Sequence, residues 1–168
     1  MFTESEEKKI GIFGIGNLLL EDEGFGVHVV NYLEKTYDFP ENVMLQDVGT
    51  AGIYMSPFLE ECDPVFVIDV VDIDGEPGSF HHFTLEDVKS GKFSTRMSPH
   101  QLGMLEILEI CKLRDTVPEQ VEFFTIIPYS LGETMELSKV ASSQMEDVVK
   151  MILDKLSSLD VNVEKKEV

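Results

Sequence analysis

Cysteine is scarce: the 168 residues hold two, Cys62 and Cys111. They are too few and too far apart for a disulfide framework or a CxxC site, so ordinary buried thiols in a reducing compartment are expected. Basic residues are scarce as well, with 13 Lys plus Arg against 32 Asp plus Glu and a net charge of -19. Such a field repels nucleic-acid phosphate and anionic lipid surfaces, so no nucleic-acid partner is expected; it leaves either a solvated acidic surface or attraction for cations and basic partners. No stretch approaches the roughly 20 apolar residues of a membrane span. The opening "MFTESEEKK" is polar and acid-rich with no signal-peptide core behind it, so a cytoplasmic protein without membrane insertion is expected. Fixed-period repeats and low-complexity tracts are also missing. So are the GxSxG elbow, the HExxH helix and a Cys-His signature, which leaves a side-chain nucleophile without support.

What is present is a globular composition, 43% hydrophobic and 27% charged, at a length that suits one domain with a substantial core. Strand and helix patterns alternate. "KIGIFGIG" (9–16) reads as a buried strand, followed by Phe25, Val29, Val30, Leu33 and Tyr37 at helical spacing. "NVMLQDVG" (42–49) reads as a second strand, 52–62 as a short helix despite Pro57, and "PVFVIDVV" (64–71) as a strand apolar on both faces. "SFHHFTL" (79–85) suits an edge strand. Residues 98–112 start with a full helix signal: Ser98 as N-cap, Pro99 at the first helical position and Gln101 three residues after the cap. A further strand is expected at 121–128. Ala141, Met145, Val148, Ile152, Leu156 and Leu159 mark a long closing helix. The fold class is therefore α/β: one three-layer domain over residues 1–160, with a mostly parallel twisted sheet of about five strands and helices on both faces. Residues 161–168 read as a frayed, flexible tail.

In such sheets ligands collect at the carboxyl ends of the strands, and three features stand there. "GIGNLLLEDEGFG" (14–26) begins like a dinucleotide loop, but the sixth place counted from Gly14 is Leu19 instead of glycine, and Glu21, Asp22 and Glu23 would repel a pyrophosphate at the helix start. Asp47 at the end of the second strand keeps a ribose-binding reading open. The acids themselves have two readings, as caps of the following helix or as an offer, through Glu23, to a metal cation. Asp69 closes the apolar run "VFVID" and is either hydrogen-bonded to a neighbouring loop or part of a site. His100 sits in a first helical turn, where the dipole disfavours imidazolium and preserves the neutral, metal-binding ring; the alternative is a histidine tolerated at an exposed helix start. Two carboxylates and one imidazole suit nickel or zinc. His81 and His82, adjacent in a strand, face opposite ways and read as structural. His28 reads as a solvent-facing or packed ring of the first helix, and the methionines as core fillers.

The order "GIGNLLLEDEGFGVHVV", "DVGTAG", "VIDVVD", "SPHQLG" resembles the hydrogenase maturation proteases, endopeptidases that trim the C-terminus of the large-subunit precursor of nickel-iron hydrogenases. The resemblance runs from about residue 10 to about residue 155, and its specific parts are "SPHQLG" and the pattern GNxLxxDxGxG. It implies a metal site formed by Glu23, Asp69 and His100, with Glu23 and Asp69 also the candidate catalytic carboxylates. The metal it implies is the nickel already inserted in the precursor, brought by the substrate in place of a resident cofactor. Gly49, Thr50 and Gly52 of "DVGTAG" match a loop lining the same cleft.

Overall fold

The computed structural model describes residues 7–50, 52–91 and 99–167, with the side chains of residues 53 and 99–102 outside that description. In chain order the elements are β1 (Lys9–Ile15), α1 (Phe25–Thr36), β2 (Tyr37–Asp38), β3 (Val43–Gly49), α2 (Ser56–Glu61), β4 (Cys62–Val70), β5 (Phe80–Thr84), α3 (Leu85–Lys89), α4 (Pro99–Leu113), β6 (Val121–Ile126), α5 (Lys139–Ser158) and β7 (Glu164–Lys165). Two 3-10 turns, Glu21–Gly24 and Gly52–Met55, lead into α1 and α2.

Five strands form one sheet in the order β3-β1-β4-β6-β5, parallel except for the edge strand β5, which runs antiparallel to β6. The period-2 alternation of the strands explains the three layers. Ile12, Phe66, Ile68, Phe124 and Ile126 turn to one face, where α1 and α5 cover them. Phe13, Ile15, Val65, Val67 and Phe123 turn to the other, under α2 and α4. Phe13, Phe66, Ile12 and Ile68 are completely buried, and each such side chain contributes about 1.5–3 kcal/mol of transfer free energy. The expected α/β class, with a mostly parallel five-stranded sheet and helices on both faces, is the observed one.

Differences lie at the edges. Tyr37, expected to continue the stripe of α1, leaves the helix and opens β2. The short helix α3 was not expected; its start is fixed by a capping box in which Thr84 and Asp87 satisfy each other's backbone N–H groups. The terminal segment, expected to fray, is instead tied down. Val161 is buried in the α1/α5 core, β7 pairs antiparallel with β2, and Lys166 N donates to Thr36 O at 2.9 Å. The apolar alternation of Val161 and Val163 gives this segment an inward face, which a reading by charge alone overlooks. The expected N-cap Ser98 lies outside the described residues, while Pro99 does open α4.

Candidate active site at the carboxyl edge of the sheet

Strand β1 passes to α1 and then to β3 on one side, whereas β4 leads on to β6 on the other. The carboxyl ends of β1 and β4 therefore flank the point where the winding reverses, the position at which open α/β sheets form a crevice. The loop after β1 folds back onto that point. Gly16, at φ 149°, lies so close to the returning chain that a Cβ there would meet Glu23 O at 1.9 Å, and Asn17 N donates to Glu23 O at 3.2 Å. At Gly26 a Cβ would stand 2.0 Å from Ile68 O and 2.5 Å from Ile15 O. These glycines let protein backbone approach protein backbone. They are not spaced or used as a phosphate cradle, and Gly26 supplies the close helix-strand packing that Leu19 could not.

Glu23 is half-buried in the 3-10 turn, its main chain seated on the end of β1. Asp69 is the penultimate residue of β4 and only 1% exposed, with Oδ1 accepting from Val70 N at 2.7 Å. Strand alternation puts Asp69 on the α2/α4 face with Val65 and Val67, in register with Thr125 of β6. His100 is the second residue of α4. The last turn of that helix is held at the opposite edge, where Arg114 Nη1 meets Glu60 Oε1 at 3.0 Å just before β4 begins. The 15 residues of α4 rise about 22 Å, the height of a strand of six or seven residues. The helix start, with His100, thus faces the same carboxyl edge as Glu23 and Asp69. Among the described residues, no group of three or more His, Cys, Asp and Glu side chains could hold a metal ion. The His100 side chain lies outside them.

The loop after β3 joins this edge. Ile15 is in register with Gly49, and Gly16 N donates to Gly49 O at 3.0 Å. Gly49 and Gly52 take left-handed conformations at φ 49° and 52°, with exposed Thr50 between them. Asp47 is occupied by its own turn, Oδ1 accepting from Gly49 N at 2.9 Å. That ties the ribose-binding candidate to loop geometry.

Asp22 has a role that sequence reasoning missed. Read as a possible cap of α1, it makes no such bond; Gly24 is the N-cap and no side chain caps the helix. Asp22 is instead completely buried, and accepts from Tyr129 N at 2.9 Å, Ser130 N at 3.2 Å, Ser138 N at 2.8 Å and Ser138 Oγ at 2.8 Å. Glu21 adds a bond from Gly132 N at 3.0 Å, and its own N–H donates to Thr134 O at 2.7 Å. The loop carrying Glu23 is thereby fastened to the segment between β6 and α5. The only hint in the sequence is that Asp22 occupies the D of GNxLxxDxGxG; nothing local identifies partners more than a hundred residues away.

His81 and His82, read in the sequence as structural, each pair with a neighbouring side chain. His81 Nε2 pairs with Ser79 Oγ at 3.0 Å, and His82 Nε2 with Glu122 Oε2 at 2.6 Å. Burial alone would raise the Glu122 pKa, but hydrogen bonds from Lys155, His82 and Gln120 outweigh it and hold the carboxyl below its ordinary value. His28 is half-buried within α1. Cys62 has its thiol pushed up to about 11, chiefly by burial and further by Glu61, which keeps it protonated and unreactive at neutral pH.

The sequence profile of the hydrogenase maturation proteases matches residues 27–155. The chain belongs to the hydrogenase maturation protease family. It is 35% identical over 133 residues to the hydrogenase expression/formation protein HupD of Bradyrhizobium diazoefficiens, covering 79% of this chain and 69% of that protein. It is 30% identical over 146 residues to the hydrogenase 2 maturation protease of Escherichia coli K12, covering 86% of this chain and 88% of that one. Among solved structures, the hydrogenase maturating endopeptidase HybD from E. coli is similar with a TM-score of 0.87 at 29% identity, over 94% of this chain and 98% of its own. This member of the maturation proteases is accordingly an endopeptidase, a hydrolase. The stretch matched by the family profile contains Asp69 and His100 and starts just beyond the acidic loop with Glu23.

Proposed function

We propose that the protein removes the C-terminal extension of the large-subunit precursor of a nickel-iron hydrogenase, and that it recognises the nickel already inserted there through Glu23, Asp69 and His100. The observation that supports this reading is Asp69: a carboxylate 1% exposed near the carboxyl end of β4, the sheet edge to which the loop of Glu23 and the start of α4 also belong. A carboxylate at the carboxyl edge of a central strand stands where open α/β sheets present ligands to what they bind, and a divalent ion arriving with the substrate is the kind of charge it attracts. Two carboxylates and an imidazole with positions left open match a borderline transition metal already held by other ligands.

In this reading the nickel belongs to the substrate. Docking it on the three side chains brings the scissile peptide to the crevice, where water attacks the carbonyl carbon. The C–N bond then breaks, and a site carboxylate passes the water's proton to the departing amine. An empty precursor lacks the contact that assembles the site, so selection for loaded substrate arises from differential binding.

Incubation with nickel-loaded precursor, followed by mass spectrometry, tests the reading. Loss of a C-terminal peptide is expected. Stable binding with no shortening of the precursor would instead mark a metal-dependent chaperone, which could use the same three ligands.

A further inference from the structure

Next to the crevice, the β1–α1 loop and the segment between β6 and α5 form an open groove of about 460 Å³ lined by Asn17, Leu19, Leu20, Glu133, Thr134 and Met135. Its size falls within the roughly 300–1,000 Å³ of pockets that enclose a ligand of a few side chains. Leu19 is 62% exposed and Met135 58%, and Tyr129 and Leu131 on the same segment are also left in water. Several large apolar side chains gathered on two adjoining loops mark an interaction surface more than they mark a solvated one.

The groove is built, not loose. The four bonds to Asp22 and the one to Glu21 fasten its two walls together before any partner arrives, so binding there orders little further chain. It adjoins the proposed site through one turn, since Glu23 N donates to the groove-lining Leu20 O at 3.0 Å. Its charge is one-sided: residues 16–24 and 128–138 contain Glu21, Asp22, Glu23, Glu133 and Glu136 and no Lys or Arg. An occupant with acidic flanks would be repelled, and one with neutral or basic flanks accepted.

We propose that this groove holds an apolar stretch of the substrate protein, flanked by neutral or basic residues and adjoining the scissile bond. Leu19 and Met135 are then the residues that set specificity. The inference rests on the peptidase reading above and deepens it. A metal contact fixes one point of the substrate; the groove supplies the second point that fixes the direction in which the chain crosses the crevice.

The test compares Leu19→Asp and Met135→Asp with wild type, using Leu113→Asp as a control at an 87% exposed position at the far end of α4. Both steady-state processing of nickel-loaded precursor and its equilibrium binding are measured. The expected result is that KM and Kd rise at least about tenfold in both groove variants, with kcat within about twofold, and stay unchanged in the control. If wild type binds the precursor without cutting it and both variants still lose binding, the groove stands and the peptidase reading fails. If wild type cuts while KM and Kd are unaltered in the variants, the groove proposal is overturned and the peptidase reading survives. Absence of binding by wild type overturns both.

Discussion

At the scale of the residue, the acidic triplet Glu21, Asp22 and Glu23 divides its labour by direction. Asp22 turns inward and organises a loop, Glu21 supports it, and Glu23 remains at the edge of the crevice. Asp22→Ala leaves three backbone N–H groups and the Ser138 hydroxyl without their acceptor, so unfolding free energy should fall by about 3 kcal/mol or more, read from the urea midpoint. Processing should fall with it, because the loop presenting Glu23 is released. The proposed ligands should behave differently. His100→Ala and Asp69→Asn are expected to abolish processing while the denaturation midpoint stays near that of wild type; normal cleavage by His100→Ala would remove it from the site, and a collapse of folding in Asp69→Asn would assign that carboxylate to structure. Sequence reading could offer Glu23 to a cation but not assign Asp22, whose partners lie at Tyr129, Ser130 and Ser138 and leave no local trace.

At the scale of the element, helix α1 depends on Gly26 for its contact with β1 and β4. Gly26→Ala would drive a Cβ onto backbone oxygen, not onto a side chain that can yield. A loss of at least about 2–3 kcal/mol is expected, measured by thermal or chemical denaturation. Within the same layer as α1, Glu122 joins β6 to β5 through His82 and to α5 through Lys155 at 2.8 Å. Its folded pKa lies below the ordinary 4.5, so its contribution is present above that value and disappears as pH falls through the folded pKa. Glu122→Gln should therefore be less stable than wild type at neutral pH, and the two should converge in acid, as followed by denaturation across pH. The elements themselves were legible because their signals are local and strong: both-face apolarity in β4, alternation in β5, Pro99 at the start of α4. What was not legible is short or conditional. The α3 turn rests on one capping box, and β2 and β7 exist only because each finds the other.

At the scale of the whole molecule, the net charge of -19 accompanies a crevice whose approaches are acidic on both loops, a setting that favours a cation-bearing substrate over an anionic one. No helix among the described residues is long and apolar enough to cross a membrane. The site's general location followed from topology, because winding that reverses beside β1 and β4 leaves few other places for a ligand. The three residues proposed for it, Glu23, Asp69 and His100, could be singled out in the sequence, but how their side chains approach one another depends on the fold, and the His100 side chain lies outside the described residues. The most direct measurement of the central claim is the initial rate of C-terminal peptide release from one precursor in two states, nickel-loaded and nickel-free. The account predicts release from the loaded form and none from the empty form under identical conditions; equal rates from both would contradict it.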